Sequence, residues 1–128
     1  MSESPWADGG FNNLIGLKLI GMQDGHYVVE LAVEAHHLSG ANKVHGGVYM
    51  AMLDTAMARV LREQSSENNN GQVTVELKTN FLRGVESGTL RAEGRVVKLG
   101  RRLGFAEATL FGDNSKQLAT AAATFMFL

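Results

Sequence analysis

The spacing of hydrophobic positions changes period along this chain, and each change marks an element. From Gly16 to Met22 the residues read as a strand, and Asp24-Gly25 follows as a hairpin turn signal. Tyr27, Val29, Leu31, Val33 and Ala35 then fall at every second position with Glu30 and Glu34 between them, the pattern of a half-buried strand. Residues 36–44 form a connector. From Gly46 the pattern becomes helical: Ala, Met and Leu dominate, without Gly or Pro after Gly47, as far as Gln64. On a helix, Tyr49, Met52, Leu53, Ala56 and Val60 share one face, while Met50, Ala51, Met57, Ala58 and Leu61 cover the opposite side. A helix that is apolar nearly all round is expected to be buried. Asp54 stands in its middle, and a carboxylate there is costly unless it is paired, hydrogen-bonded or used.

Beyond this helix the period returns to two. The polar stretch Ser65 to Gly71 is expected to be a surface loop. Val73, Val75, Leu77 and Phe81 alternate with Thr74, Glu76, Lys78 and Asn80, so strand parity places Thr74 on the face opposite Val73. Leu90 to Leu99 and Leu103 to Phe111 read as strands joined by the Gly100-Arg101-Arg102 turn. Leu118 to Leu128 is almost wholly apolar, which predicts a strand covered on both faces. Phe11, Leu14, Ile15 and Leu17 suggest a short helix docking on the core, after a loose lead-in over residues 1–8. Two strands, one long helix and four further strands make an α+β domain with the helix against one face of a sheet. At 128 residues the whole chain, 1–128, is expected to be one such domain.

Composition narrows the classes of function. A net charge of -1 supplies no field for nucleic acid or an anionic membrane. With no cysteine, disulfide and thiolate chemistry are excluded, which fits a reducing compartment, the cytoplasm. The N-terminal residues lack the basic and apolar regions of a signal peptide. His26, His36 and His37 are too scattered for a metal site and are expected on the surface.

Val44-His45-Gly46-Gly47-Val48, followed by Leu53-Asp54-Thr55-Ala56, carries a resemblance to a known family. His-Gly-Gly, six residues and Asp at the head of the central helix resembles the hotdog acyl-CoA thioesterases of the phenylacetate-pathway type. The stretch from Val73 to Arg83 resembles that family's third strand, and Gly100 to Ala108 its strand-turn-strand segment. The resemblance covers roughly residues 25–128. It implies a hotdog fold, a long central helix wrapped by an antiparallel sheet of five to six strands. It also implies hydrolysis of a small to medium acyl or aryl thioester of CoA, with CoA as part of the substrate and no separate cofactor or metal. By similarity, the Gly46 N–H polarises the thioester carbonyl, His45 positions the substrate, Asp54 is base or nucleophile, and Thr74 is the helper hydroxyl. The family's Asn six residues before the His is replaced by Ser39, while Asn42 lies three before it; either is a candidate substrate-binding residue.

The residue chemistry is consistent with those roles. Thioester hydrolysis needs a carboxylate and donors for the developing oxyanion. A helix N-terminus offers free N–H groups, and Gly46 and Gly47 let a carbonyl approach them closely. Lys98, Arg101 and Arg102 are candidates for the anionic nucleotide end of CoA. Gly46 and Asp54 are eight residues apart, ~12 Å along one helix, so one carbonyl cannot touch both. Two antiparallel helices about a two-fold axis solve this, and the resemblance implies the same homo-oligomer, a dimer or dimer of dimers. The rival readings are a non-catalytic acyl-CoA-binding module, a scaffold with a structural Asp54, and a dehydratase acting on hydroxyacyl thioesters.

Overall fold

A computed structural model describes residues 9–65 and 70–128. The expected lead-in over residues 1–8 and most of the polar loop, residues 66–69, lie outside the described residues. The order of elements is α1 (Gly10–Ile15), β1 (Lys18–Gln23), β2 (His26–Ala32), α2 (Gly46–Gln64), β3 (Gln72–Phe81), β4 (Thr89–Leu99), β5 (Leu103–Phe111) and β6 (Gln117–Phe127). The six strands form one antiparallel sheet in the order β1-β2-β4-β5-β6-β3, and α2 packs on its inner face against five of them. This is the hotdog arrangement.

Side-chain size lets the sheet close round the helix. Small inward residues such as Ala92, Ala106, Ala108, Ala121 and Ala123 leave room for Met52, Leu53, Met57 and Leu61, all fully buried. At Gly94 on β4 even an alanine is too large: a Cβ there would lie 2.5 Å from the Ala56 carbonyl oxygen.

Several expectations need correction. The first strand starts at Lys18, because residues up to Ile15 are taken by α1, which ends on Gly16 in the left-handed conformation (φ 81). Within α1, Phe11 and Leu14 are exposed, so its docking rests on Ile15 and on Leu17 just beyond it. β2 stops at Ala32, and Glu34 instead caps a 3-10 turn over Ala35–His37. β6 is not covered on both faces: Phe125, Ala123, Ala121 and Ala119 point inward, but Ala122 is exposed on the outer face. Its outward positions include Thr120, Ala122 and Thr124, small side chains that face water at little cost.

The central helix is not buried all round either. The sheet leaves a stripe of α2 uncovered at Gly47, Met50, Ala51, Asp54 and Ala58, with Met50 39% exposed. These positions follow the helical repeat and form one face. The edge strand β3 is also uncovered along one side, where Val73 and Val75 are exposed.

Candidate active site

His45 opens α2 as its N-cap: its Nδ1 accepts a hydrogen bond from the Gly47 N–H at 2.8 Å. An Nδ1 that accepts carries no proton, so this ring is the neutral tautomer with its proton on the exposed Nε2. The cap occupies the Gly47 N–H, one of the two expected backbone donors. The Gly46 N–H makes no hydrogen bond among the described residues and lies at the positive end of a 19-residue helix. Gly46 is also sterically special, since a Cβ there would sit 3.2 Å from the Phe81 ring.

Two turns along the helix, Asp54 is partly buried on the uncovered stripe. Its Oδ1 accepts from the Thr74 hydroxyl at 2.8 Å. Burial raises its carboxyl above the ordinary aspartate range, and the Thr74 hydrogen bond partly offsets the rise. Strand parity alone sends Thr74 outward, but a β-bulge intervenes: Thr74 pairs with Phe125 and Glu76 with Thr124, leaving Val75 as the extra residue. The bulge reverses the parity of β3 on one side of it. Thr74 therefore shares the inward face with Leu77, Thr79 and Phe81.

The remaining expected residues divide by place. The Ser39 hydroxyl accepts from the Ala41 N–H within its own turn, and Asn42 is the left-handed residue of that turn (φ 59). Among the described residues, neither makes a hydrogen bond to the His45–Gly47 segment. Lys98, Arg101 and Arg102 are exposed, and their side chains make no ion pair or hydrogen bond among the described residues. Their hairpin joins β4 to β5, where Gly104 lies against Leu61 and the Arg102 carbonyl accepts from Phe127 N. That is the far end of α2 from Gly46, ~22 Å along the axis.

Two features escaped the sequence reading. His37 is 1% exposed, not a surface histidine. Its Nδ1 accepts from Glu34 N, its Nε2 donates to the Ile15 carbonyl, and its own carbonyl accepts from His45 N, tying α1 to the head of α2. The second is a groove of about 280 Å³ beside Gly46, lined by Val44, Tyr49, Phe81, Leu82, Arg83 and Gly84. Its floor is held by Tyr49, whose hydroxyl donates to the Arg83 carbonyl at 2.9 Å. The signal in the sequence is two large apolar residues at a strand end followed by a cation and a glycine.

A pairing of carboxylate and hydroxyl and an unpaired helix-terminal N–H, carried on the same helix, are groups suited to acyl transfer to water. Comparisons agree with that chemistry. The family model of the thioesterase superfamily matches residues 41–119. Acyl-coenzyme A thioesterase PaaI of Escherichia coli is 29% identical over 106 residues, covering 82% of this chain and 73% of that protein. A conserved protein of Pseudomonas aeruginosa is 30% identical, with a TM-score of 0.86 and 94% of each chain covered. A Bacillus halodurans protein solved with CoA is 25% identical, with a TM-score of 0.85, covering 92% of this chain and 78% of that one. With the matched segment spanning the His45–Asp54 site, α2 and strands β3 to β5, the chain belongs to the thioesterase superfamily and is a thioester hydrolase of the hotdog fold.

Proposed function

We propose that the chain hydrolyses acyl-CoA thioesters with small to medium acyl or aryl groups, at sites shared between two copies. The observation that carries this reading is the separation of the Asp54–Thr74 pair from the unpaired Gly46 N–H, ~12 Å along one rigid helix. In a shared site, Gly46 of one copy holds the carbonyl oxygen and Asp54 of the other works on the carbon. Asp54, held through Oδ1 by Thr74, takes a proton from water through its other oxygen. The water oxygen bonds to the carbonyl carbon, and the oxyanion forms against Gly46 N–H. Collapse breaks the carbon–sulfur bond, and the CoA thiolate recovers the proton from Asp54. His45 fixes the helix head, and its exposed Nε2–H faces the substrate side.

The surface supports such a dimer. Thr74 lies beside Asp54 and Phe81 beside Gly46, so β3 runs antiparallel to α2 past the same two points. A two-fold that brings Asp54 to the second copy's Gly46 has its midpoint at Met50 on the helix and between Leu77 and Lys78 on the strand. Both midpoints fall on surfaces one chain leaves open, the uncovered stripe of α2 and the free edge of β3. Gly47, Ala51 and Ala58 on the stripe are small enough for close helix approach. In the same arrangement, the second copy's Lys98, Arg101 and Arg102 extend ~10 Å past Gly46, at the nucleotide end of the substrate. Ser39 and Asn42 lie on the connector that leads into this site. The chain acts as one domain within a homodimer or a dimer of such dimers. No described helix is long and apolar enough to cross a membrane. A cytoplasmic setting accords with the cysteine-free sequence.

The test is thiol release from a series of CoA esters by the wild-type chain and Asp54→Asn, which keeps the shape and removes the base. Turnover is expected to fall at least ~100-fold with the fold intact. A folded Asp54→Asn variant with near wild-type turnover overturns the assignment. A wild-type chain that binds CoA esters without releasing thiol is the non-catalytic module instead.

A further inference from the structure

A six-residue helix is too short to hold itself, so the position of α1 is set by its anchors. Asn12 Nδ2 donates to the Thr55 hydroxyl at 3.2 Å, the Ile15 carbonyl accepts from His37 Nε2 at 2.6 Å, and Leu17 is buried just beyond the helix. Thr55 is itself buried, follows the proposed base Asp54 directly in the chain, and borders Ala51 and Ala58 of the uncovered stripe. Gly46 and Thr55 are nine residues apart on α2, about half a turn round its axis at ~3.6 residues per turn. The stripe between them therefore has β3 on one flank, where Phe81 lies against Gly46, and α1 on the other. Within α1 the anchoring residues Asn12 and Ile15 share one face, three positions apart. Phe11 and Leu14 form a second face beside it and are 62% and 76% exposed. A lone exposed leucine is ordinary, but a Phe and Leu side by side, on a helix tied to the residue after the proposed base, point to something they bind.

We propose that α1 is an acyl wall: Phe11 and Leu14 contact the acyl group of a thioester whose carbonyl carbon lies at Asp54 of the same copy, and so set the preference for acyl size. The inference rests on the thioester reading above. The chemistry of α1 selects the acyl group as occupant. Its sequence, Gly-Phe-Asn-Asn-Leu-Ile, carries no charged residue, so it offers nothing to the phosphates of CoA. Phe11 and Leu14 supply an aromatic face and aliphatic area, which match an aryl ring or an alkyl chain. The position of α1 separates this occupant from a second copy of the chain. Its anchor stands at the level of Asp54, one turn along α2 from Met50, where the proposed two-fold passes. α1 thus rims a site and not the centre of the interface between copies.

The experiment measures kcat/KM for acetyl, butanoyl, octanoyl and benzoyl esters of CoA with wild type, Phe11→Ala and Leu14→Ala. Both side chains are exposed, so both variants should fold and melt as wild type does. With Phe11→Ala the octanoyl and benzoyl esters are expected to lose about tenfold and the acetyl ester less than about twofold, since only the larger groups reach the wall. Leu14→Ala should give the same slope with acyl size. A loss equal across all four esters, or no loss on any, overturns the proposal. Gel filtration of Phe11→Ala should show the wild-type assembly; dissociation into smaller species assigns the two side chains to a contact between copies and also overturns it. Binding of S-ethyl-CoA and S-octyl-CoA, thioethers that cannot be hydrolysed, gives a readout without turnover. Phe11→Ala should weaken the octyl compound about tenfold and leave the ethyl compound within about twofold. If wild type releases no thiol yet this difference holds, the hydrolytic reading of the site fails and the acyl wall stands. If wild type is active and neither the ester profile nor thioether binding responds to Phe11→Ala, the acyl wall alone fails.

Discussion

Asp54 is subject to two opposed influences, burial that favours its neutral form and a Thr74 hydroxyl that favours the ionised one. Burial is the larger, so the pKa is raised. A base works only when ionised, so kcat/KM of the free enzyme should fall on the acid side with a midpoint above the ordinary aspartate value of 3.8. Thr74→Val keeps the shape but removes the hydroxyl, and should move that midpoint further up; a midpoint that stays or falls contradicts the hydrogen bond's role. The same shift carries a stability sign. A raised folded pKa means the folded chain binds the proton more tightly than the unfolded chain, so Asp54's contribution is most favourable below the unfolded value and is lost as pH rises through the folded value. Asp54→Asn should therefore melt higher than wild type at neutral pH, and the gap should close in acid. At this scale the sequence made the carboxylate legible, because a lone charge among Met, Ala and Leu stands out. Strand parity pointed its partner Thr74 the wrong way, because the bulge at Val75 depends on how β3 seats against β6.

Among the elements, the β4–β5 hairpin and the connector before α2 show how far an assignment by residue type extends. Arg101 and Arg102 occupy an exposed turn, as their types suggested, yet within one chain that turn lies beyond the wrong end of the helix for a ligand at Gly46. A role in CoA binding therefore requires the second copy. Arg101→Ala with Arg102→Ala should raise KM for CoA esters and leave kcat nearly unchanged, as expected for lost uniform binding. Short pantetheine esters lacking the nucleotide should be unaffected; an equal response of both substrates refutes the contact. In the connector, the Ser39 hydroxyl and the left-handed Asn42 backbone also close their own turn, a role that their types and distance from His45 did not single out.

For the whole molecule, the uncovered stripe of α2 and the open edge of β3 meet in the proposed shared site, which subunit exchange can test. Asp54→Asn lacks the base and Gly46→Pro lacks the N–H donor, and each homodimer should be nearly inactive. Proline is tolerated in the first turn of a helix, but its ring will press on Phe81, where a Cβ already sits at 3.2 Å, so circular dichroism and gel filtration come first. Mixed and re-equilibrated, the two variants form a heterodimer with one site that has both intact groups and one that has neither. Random exchange should restore about a quarter of wild-type activity to the mixture. Exchange without any return of activity places both groups within one chain and rejects the shared site.

The sequence by itself determined the order and kind of the main elements, the extent of α2 and the His45–Asp54 motif. These are local properties: helix and strand periods, turn residues and a helix head that can be read along the chain. The thioesterase resemblance followed from the same local words, and the family match across residues 41–119 agrees with it. Only the tertiary structure decided which surfaces close and which stay open. Whether the apolar wrap of α2 is fully covered depends on how far a six-stranded sheet reaches round it, and the sheet stops short of Met50, Ala51 and Asp54. Whether Thr74 faces inward depends on one extra residue in β3, and whether Gly47 or Gly46 keeps a free N–H depends on where the His45 ring turns. His37 went from an expected surface residue to a buried tie because two segments far apart in the chain, Ile15 and Glu34, meet at its ring. Such facts rest on contacts between residues distant in sequence, and periodicity along the chain carries no record of them.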